Sequence, residues 1–349
     1  MNSHQFLAAV WHGARDIRVE ARERRPLAPS EVRVGVAKCG ICGSDLHEYL
    51  DGPHAIPADA PHNLSGRKAP IVLGHEFCGT VLEVGPGVGS VIVGQRVAIE
   101  PEYRCGRCRA CRRGDYNLCE HFGFAGLMGD GGMAEEAVVS DYMLHHLPDA
   151  VSFTQAAVLE PAAVALHAIR RSGLAAGMRC AIVGAGAIGL LLVQLAKVSG
   201  AREIAISDIS DQRLSQARKL GATITVNSAR EDLVDRVGEV DISFEAAGVQ
   251  ATLDQAYGIV RKGGRLVLVG LFCCKPTIDA FGFVNREVDL ISSVGYRHVH
   301  EDLIAMVAKG VFDPSLIVTR EVALSSVVED GFARLVKPSS DLKVLVAPG

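Results

Sequence analysis

The stretch CAIVGAGAIGLLLVQLAKVSG, residues 180–200, is the part of the chain that decides the fold. A short apolar run from Cys180 to Val183 precedes a glycine-rich turn, and an apolar helical stretch from Ala187 to Ser199 follows. Gly200 ends that stretch, as glycine commonly does at the end of a helix. The order of strand, glycine turn and helix predicts the first unit of a parallel α/β sheet.

Gly184, Gly186 and Gly189 form the pattern G-x-G-x-x-G inside this stretch. The first glycine permits a tight turn, the second lets the backbone approach a pyrophosphate, and the third lets the helix pack on the strand. Asp208 closes the next predicted strand, where a carboxylate can accept hydrogen bonds from ribose hydroxyls. The pattern predicts a dinucleotide site that favours NAD, because an acid repels a 2′-phosphate. Arg213 weakens this preference, since its guanidinium could reach such a phosphate.

The alternation of strands and helices continues through the second half of the chain. A further predicted helix runs from Asp211 to Leu220 and ends at Gly221. Six strands with intervening helices predict a doubly wound parallel sheet. The predicted strands are Cys180–Val183, Glu203–Ser207, Thr223–Val226, Asp241–Phe244, Leu266–Val269 and Asp289–Val294.

The residues before about 150 have a different texture, with short β-branched stretches interrupted by glycine and proline. They predict an all-β unit with long loops. The stretches are Val32–Val36, Val81–Val84, Val91–Ile99 and Glu135–Val139. Beyond Tyr296 the texture is mixed again, and we expect the tail to pack on the first domain. The predicted class is α/β, with one domain at 1–155 joined by 296–349 and a second at 156–295.

Length and composition limit the possible functions. At about 150 residues per domain, 349 residues predict about two domains. A hydrophobic fraction of 48% and a net charge of −4 exclude a disordered chain and disfavour a nucleic-acid or anionic-membrane binder. The longest apolar run, Ala181 to Ala196, is shorter than the ~20 residues of a membrane-spanning helix. Met1–Gln5 contains no Lys or Arg, whereas a signal peptide would, and we therefore expect a cytoplasmic protein.

Ten cysteines in a cytoplasmic chain indicate metal ligands, catalytic groups or core residues rather than disulfides. Four of them have the spacing C-x2-C-x2-C-x7-C, and four thiolates so close together can enclose one structural zinc ion: Cys105, Cys108, Cys111 and Cys119. Five surrounding arginines could indicate a nucleic-acid-binding zinc ribbon, but they also offset the charge of a tetrathiolate zinc centre, and we prefer the second explanation. Four further cysteines are expected in the core: Cys78, Cys180, Cys273 and Cys274.

A second set of candidate metal ligands is dispersed along the chain. Cys42 begins the stretch CGSDLH, His75 and Glu76 follow Gly74 after an apolar strand, and Glu160 precedes a proline near the domain boundary. Spacing alone leaves their roles open. His75 could be a hydrogen-bonded core histidine, and Glu160 could simply favour a helix N-terminus.

The chain resembles the zinc-dependent medium-chain alcohol dehydrogenases, in which a GroES-like catalytic domain is joined to a Rossmann domain. The resemblance covers nearly the whole chain and is greatest to the (R,R)-2,3-butanediol dehydrogenase branch. It implies that 1–155 with 296–349 is the GroES-like domain and 156–295 the Rossmann domain. The similar stretches are Cys39–Leu50 (CGICGSDLHEYL), Leu73–Gly79 (LGHEFCG), Leu159–Ala168 (LEPAAVALHA) and Val294–Val299 (VGYRHV).

The resemblance also implies a role for each dispersed residue. The implied ligands of a catalytic zinc ion are Cys42, His75 and Glu160. Together with the structural zinc ion, this ion gives two zinc ions per chain. Glu76 matches an acid that the family keeps beside the metal, and Asp45 matches the carboxylate that orients the histidine ligand. Lys343 resembles the cationic position that reaches the cofactor pyrophosphate.

The implied reaction is the interconversion of (R,R)-2,3-butanediol and acetoin by hydride transfer with NAD, with diacetyl reduction as a further reaction. Zinc acidifies the alcohol, and the proton leaves through Ser44 and the cofactor ribose to His47. A carboxylate ligand in place of a thiolate makes zinc a harder Lewis acid, which suits a diol. The expected partners are a small diol or hydroxyketone and further copies of the chain, as a dimer or tetramer.

Two other functions stay open at this point. A sorbitol-type polyol dehydrogenase or a threonine dehydrogenase would use the same site on another substrate. A protein that binds zinc and NAD(H) without catalysis belongs to a different class, and the presence of Ser44 and His47 beside the predicted zinc ligands argues against it. We expect neither a nucleic acid nor a membrane as partner.

Overall fold

A computed structural model describes residues 4–337 and 340–349 of the chain. Eighteen strands are defined in these residues. They are β1 (Gln5–Gly13), β2 (Asp16–Glu23), β3 (Glu31–Gly40), β4 (Ile71–Val72), β5 (Glu76–Val84), β6 (Arg96–Ile99), β7 (Glu102–Tyr103), β8 (Gly123–Phe124), β9 (Glu136–Ser140), β10 (Leu144–His146), β11 (Arg179–Val183), β12 (Glu203–Asp208), β13 (Ile224–Asn227), β14 (Val240–Glu245), β15 (Val260–Leu268), β16 (Asp289–Ser292), β17 (Val318–Ala323) and β18 (Lys343–Ala347).

The longest described helix, Leu159–Ser172, has 14 residues. The helices are α1 (Gly43–Asp51), α2 (Arg109–Arg112), α3 (Phe153–Ala156), α4 (Leu159–Ser172), α5 (Ala187–Val198), α6 (Asp211–Leu220), α7 (Leu233–Val237), α8 (Gln250–Ile259), α9 (Ala280–Arg286), α10 (His300–Ala308) and α11 (Ala333–Leu335). Within 4–337 and 340–349, none of the helices has the length and apolar character needed to cross a bilayer.

The chain divides into two compact units. The first contains the residues up to Glu160 and those from His300 onward, and the second contains Pro161–Val299. The domain boundaries that we predicted from the sequence, near 155 and 295, stay a prediction.

The first unit is built on a seven-stranded sheet with the order β10-β6-β5-β3-β18-β17, in which β9 also pairs with β3. A second sheet has the order β2-β1-β4. The predominance of strands follows from the β-branched stretches of the sequence, whose side chains fill the core. Val34, Phe77, Val97 and Val344 belong to that core, and each is almost completely buried.

One predicted strand of the first unit is too long. We expected a strand over Val91–Ile99, but β6 begins at Arg96. Gly94 has a φ of +86°, a backbone conformation that favours glycine, and its N–H donates to Val81 O at 2.8 Å. The residues before Arg96 therefore form a turn that leads the chain into the sheet.

The second unit is a six-stranded parallel sheet with the order β13-β12-β11-β14-β15-β16. This is the strand order of a dinucleotide-binding sheet, in which successive strands are added on both sides of β11. The helices α5 and α6 lie where the sequence predicted them, and Gly200 and Gly221 follow them with φ of +81° and +121°. The structure confirms the predicted α/β class, a β-rich domain with a doubly wound parallel sheet.

Candidate active site

Cys42, His75 and Glu76 form a compact group in the first unit. One potential ligand atom of each lies within 4.8 Å of those of the other two. Cys42 caps the N-terminus of α1, and Glu76 begins β5 directly after His75. Gly74 has a φ of +93°, and a Cβ there would lie 2.5 Å from Cys39 Sγ. Only glycine therefore fits the turn that places His75 beside Cys42.

Asp45 lies beside the imidazole ring of His75, and its predicted role in orienting that ring stays a prediction. Asp45 Oδ1 lies 3.6 Å from His75 Nδ1, and Asp45 Oδ2 accepts a hydrogen bond from the amide of Cys42 at 2.9 Å. On the opposite edge of the ring, His75 Nε2 lies 3.4 Å from Ser44 Oγ. Asp45 is completely buried, and burial raises the pKa of its carboxyl to about 6. Asp45 Oδ1 and His75 Nδ1 are too far apart for a hydrogen bond, but the carboxylate faces Nδ1, as it does beside histidines that bind a metal through Nε2.

Glu76 and Lys343 form a buried ion pair next to this group. Lys343 Nζ donates to both carboxylate oxygens of Glu76 at 2.7 Å and to Ile41 O at 3.0 Å. Burial lowers the pKa of Lys343, but the carboxylate of Glu76 outweighs this effect, and the net shift is upward. The predicted contact of Lys343 with a cofactor pyrophosphate stays a prediction.

Glu160 lies in the first turn of α4 and is 5% exposed. It is not a member of the group whose ligand atoms lie within 4.8 Å of one another. Its charge nevertheless acts on that group: burial lowers the pKa of His75, but Asp45, Cys42 and Glu160 raise it well above its ordinary value. Glu160 is therefore close enough to His75 for its charge to act on the imidazole.

Ser44 and His47 share helix α1 with Asp45. Ser44 is half-buried, whereas His47 is exposed to solvent. The ring of His47 packs edge-on at 6.4 Å from that of His54, which is 2.9 Å from Asp51. Helix α1 thus carries polar side chains from the buried His75 to the surface, but the predicted proton path along it stays a prediction.

The four spaced cysteines converge in a segment between β7 and β8. Their sulfur atoms lie within 4.8 Å of one another, and backbone N–H groups at 3.3 to 3.4 Å point at three of them: Cys105, Cys108 and Cys119. Two such amides lower the pKa of the Cys108 thiol to about 6. Convergent sulfurs that accept amide hydrogen bonds fit a closed tetrahedral metal site.

The glycine turn of the second unit has the form that a dinucleotide site needs. Gly184 has a φ of +106°, and Gly186 caps the N-terminus of α5. A Cβ on Gly189 would overlap the carbonyl oxygen of Gly184, whereas a Cβ on Gly186 would meet nothing within 4 Å. Gly189 is thus needed for packing, and Gly186 leaves open space at the helix N-terminus, where a pyrophosphate binds.

Asp208 ends β12 beside this turn. Its carboxylate accepts hydrogen bonds from the amides of Ala185 at 2.8 Å and Ser210 at 2.9 Å. Arg213 Nη1 lies 3.9 Å from Asp208 Oδ2, and the arginine side chain is 42% exposed. The structure therefore places Arg213 next to the acid that we predicted to select NAD.

The expectation that four further cysteines lie in the core is correct for Cys78 and Cys180, which are buried. It is wrong for Cys273 and Cys274, which are exposed. They follow the end of β15 in a loop, so the apolar context that suggested burial continues past the last buried strand residue.

Sequence reasoning missed a third group of potential metal ligands. Glu100, His145 and His300 have ligand atoms within 4.8 Å of one another in the first unit. They are separated by 45 and 155 residues in the sequence, and none lies in a motif with recognisable spacing. Only the folded chain brings them together.

Comparison with known proteins agrees with the fold and identifies the family. The family model of the alcohol dehydrogenase GroES-like domain matches residues 28–149, and that of the zinc-binding dehydrogenases matches residues 187–309. The chain is 40% identical over 347 residues to the (R,R)-butanediol dehydrogenase of Bacillus subtilis (strain 168), covering 98% of this chain and 99% of that protein. It is 35% identical over 350 residues to the sorbitol dehydrogenase of the same organism, covering 98% and 97%.

A solved structure gives the same result. The crystal structure of 2R,3R-butanediol dehydrogenase from Bacillus subtilis superposes with a TM-score of 0.92 at 40% identity, covering 99% of this chain and all of that chain (100%). The resemblance inferred from the sequence is confirmed, and catalysis is favoured over mere binding of zinc and NAD(H). The chain therefore belongs to the zinc-dependent alcohol dehydrogenase family and is an oxidoreductase whose cofactors are zinc and NAD.

Proposed function

We propose that this enzyme interconverts (R,R)-2,3-butanediol and acetoin with NAD, and that it also reduces diacetyl. The observation that carries the proposal is the donor set of the candidate active site. The thiol of Cys42, the imidazole of His75 and the carboxylate of Glu76 meet there, and the charge of a further buried carboxylate, Glu160, acts on the same imidazole. The similarity to the butanediol dehydrogenase of Bacillus subtilis supports the same substrate.

We assign the catalytic zinc ion to Cys42, His75 and Glu160. Both oxygens of Glu76 accept hydrogen bonds from Lys343, so this carboxylate already has a cation as partner. Glu160 is the second buried carboxylate whose charge acts on His75, and it can complete a set of three protein ligands. Three ligands leave one coordination position for a substrate, as a catalytic zinc site requires.

When bound, zinc supplies the Lewis acidity that lowers the pKa of an alcohol, and NAD supplies the hydride acceptor. Ser44 Oγ, at 3.4 Å from His75 Nε2, is positioned to accept the proton of a hydroxyl held at this group. His47 lies one turn later on α1 and is exposed, so its imidazole can pass the proton to water. Asp45 keeps the ring of His75 in one orientation throughout.

We propose a structural zinc ion for Cys105, Cys108, Cys111 and Cys119. Their sulfurs fill a tetrahedral set, and none of the four positions is left for a substrate. The segment between β7 and β8 lies outside the group around His75, so its zinc would stabilise this part of the fold rather than take part in the reaction.

We propose that NAD is preferred over NADP because Asp208 faces the position of the adenosine ribose. Its carboxylate is fixed by two backbone amides, which leaves it rigid and negatively charged at the end of β12. Arg213 reduces the repulsion of a 2′-phosphate through its position 3.9 Å from that carboxylate.

We also propose that the enzyme assembles into a homo-oligomer. Strand β16 ends the six-stranded sheet and is largely exposed, which leaves unpaired backbone groups along its outer edge. Apolar side chains are exposed on the same strand and on α9: Leu290 at 41%, Phe281 at 77% and Val284 at 75%.

The cysteines bear on the cellular location that we propose. All ten are free thiols, and two thiolate-containing zinc sites favour the reducing cytoplasm.

A sorbitol-type polyol dehydrogenase is the second candidate, and the 35% identity to the sorbitol dehydrogenase of Bacillus subtilis favours it. Initial rates of NADH formation with (R,R)-2,3-butanediol, its (S,S) isomer, sorbitol and threonine distinguish the candidates. We expect the (R,R) isomer to react fastest. In the (S,S) isomer the reacting carbon is inverted, so the hydrogen to be transferred points away from the nicotinamide. A higher kcat/KM for sorbitol would favour the second candidate.

The zinc assignment has its own test. The substitution Cys42→Ala should remove about one zinc equivalent from the dialysed protein, measured by elemental analysis, and should abolish turnover. A Cys42→Ala protein with full activity would show that zinc at this group is not catalytic.

A further inference from the structure

We propose that Glu100, His145 and His300 form a third metal site, which takes a divalent transition-metal ion such as Zn²⁺. Two imidazoles and one carboxylate are a ligand set that zinc accepts in proteins. None of the three residues belongs to the four-cysteine segment or to the group around His75.

Three separate elements bring the ligands together. Glu100 follows the last residue of β6, His145 lies in β10, and His300 begins α10. Strand β10 pairs antiparallel with β6, and the amide of Glu100 donates to Met143 O at 2.7 Å. The backbone at two of the three positions is thus fixed by the sheet.

The distances between the ligand atoms fit a single ion. Glu100 Oε2 lies 2.9 Å from His145 Nε2, and Glu100 Oε1 lies 3.9 Å from His300 Nδ1. Ligand atoms at about 2.0–2.2 Å from a tetrahedral zinc ion are roughly 3.3–3.6 Å apart, which lies between these two distances. The two imidazole rings are stacked at 4.8 Å with an angle of 9° between their planes, so at least one ring must turn before both can direct a nitrogen lone pair at the same ion.

The carboxylate is also held from its other side. Tyr116 donates a hydrogen bond from its hydroxyl to Glu100 Oε1 at 2.7 Å. Hydrogen bonds of this kind orient a metal-ligating carboxylate and are a usual part of metal sites. The side chains of Glu100 and His300 are 4% and 0% exposed, whereas that of His145 is 17% exposed, which gives an ion a route from solvent.

A cation faces the cluster. Arg104 Nη1 lies 4.0 Å from Glu100 Oε2. This guanidinium opposes a cation, so we expect weaker binding than at the four-cysteine site.

At His300 the chain returns to the first unit. An ion at this site would join this point of the chain to strand β10, at the edge of the seven-stranded sheet. The bound ion cross-links segments that are 155 residues apart, and a ligand that binds only the folded state stabilises it. The expected effect is therefore on the stability of the first unit and not on turnover.

Metal counting tests the proposal. Native mass spectrometry of the full chain, after addition of Zn²⁺ and removal of the excess, should show one more zinc ion in the wild type than in His145→Gln or His300→Gln. Zinc should raise the melting temperature of the wild type, on the order of a few degrees, and not that of the two variants. Turnover with NAD should be unchanged in both. His146→Gln is the matched control, because His146 is the exposed neighbour of His145 and should leave the zinc count unaltered.

Equal zinc counts in the wild type and both variants would overturn the proposal and leave the cluster as a hydrogen-bonded group without metal. If the variants do not fold, anomalous diffraction from zinc-soaked crystals of the wild type decides. A peak at about 2.0–2.2 Å from Glu100 and both histidines supports the site, and its absence there overturns it. Because the comparison concerns one added ion, it does not depend on zinc binding at Cys42.

Discussion

The buried pair of Glu76 and Lys343 makes a quantitative prediction about stability. Lys343 Nζ lies 2.7 Å from both carboxylate oxygens, and the two side chains are 0% and 3% exposed. Removing one partner of such a pair leaves an uncompensated buried charge, which costs about 3–5 kcal/mol. We expect Lys343→Met to destabilise the first unit by about this amount.

A double mutant separates the pair from its surroundings. The change Glu76→Gln together with Lys343→Met removes both charges, so we expect the double variant to be more stable than the sum of the two single effects indicates. Lys38→Met is the matched control. Lys38 pairs with Glu321 at a partly exposed position, where the side chains are 20% and 47% exposed, and such a pair contributes about 0–1 kcal/mol.

Trp11 provides the assay. It is the single tryptophan of the sequence, it is 2% exposed, and it lies in β1 of the first unit. Its fluorescence during urea denaturation therefore reports on the unit that contains the pair. If Lys343→Met lowers the urea midpoint no more than Lys38→Met does, the buried pair does not have the energetic role that its geometry indicates.

Three further predictions concern the two cofactors. Gly189→Ala places a Cβ against the carbonyl oxygen of Gly184, so it should destabilise the second unit by about 1–3 kcal/mol. The control is Gly186→Ala, whose Cβ meets nothing within 4 Å and should leave the melting temperature unchanged. Equal melting temperatures for both variants would contradict the packing role of Gly189. Asp208→Gly should narrow or reverse the preference for NAD, measured as the ratio of kcat/KM for the two cofactors, whereas Arg213→Ala should widen it; a wild-type preference for NADP would show that Arg213 decides. Cys108→Ser should remove about one zinc equivalent and lower the melting temperature more than the turnover number, and loss of turnover at unchanged stability would contradict a structural zinc.

The sequence predicts the second unit almost completely, because its signals are local. Each predicted strand of the parallel sheet is a short apolar run, and glycines such as Gly200 and Gly221 follow the helices between them. The exception is β15, which begins at Val260, six residues before the apolar run that predicted it, and includes the exposed Arg261 and Lys262. The turn at Gly184 is predicted by the sequence pattern alone, since the three spaced glycines require one backbone geometry. Local patterns of this kind do not depend on the rest of the chain.

The first unit is less predictable, because its contacts join distant segments. Strands β17 and β18 come from the end of the chain and pair into a sheet whose other strands lie before residue 147. The ion pair between Glu76 and Lys343 spans 267 residues. The resemblance to a family indicated a role for each of these two residues, but no spacing rule predicts that they bind each other. The cluster of Glu100, His145 and His300 gave no signal at all, for the same reason.

The central claim is that the site around His75 and Glu160 acts on a vicinal diol. The most direct test is the ratio of kcat/KM for (R,R)-2,3-butanediol and 2-butanol with NAD, measured from the absorbance of NADH. A site that hydrogen-bonds the second hydroxyl should favour the diol by about 10³-fold or more, because the analogue leaves buried polar groups unpaired. Values within about 10²-fold of each other would contradict the claim, since a site without partners for the second hydroxyl discriminates no more strongly than that.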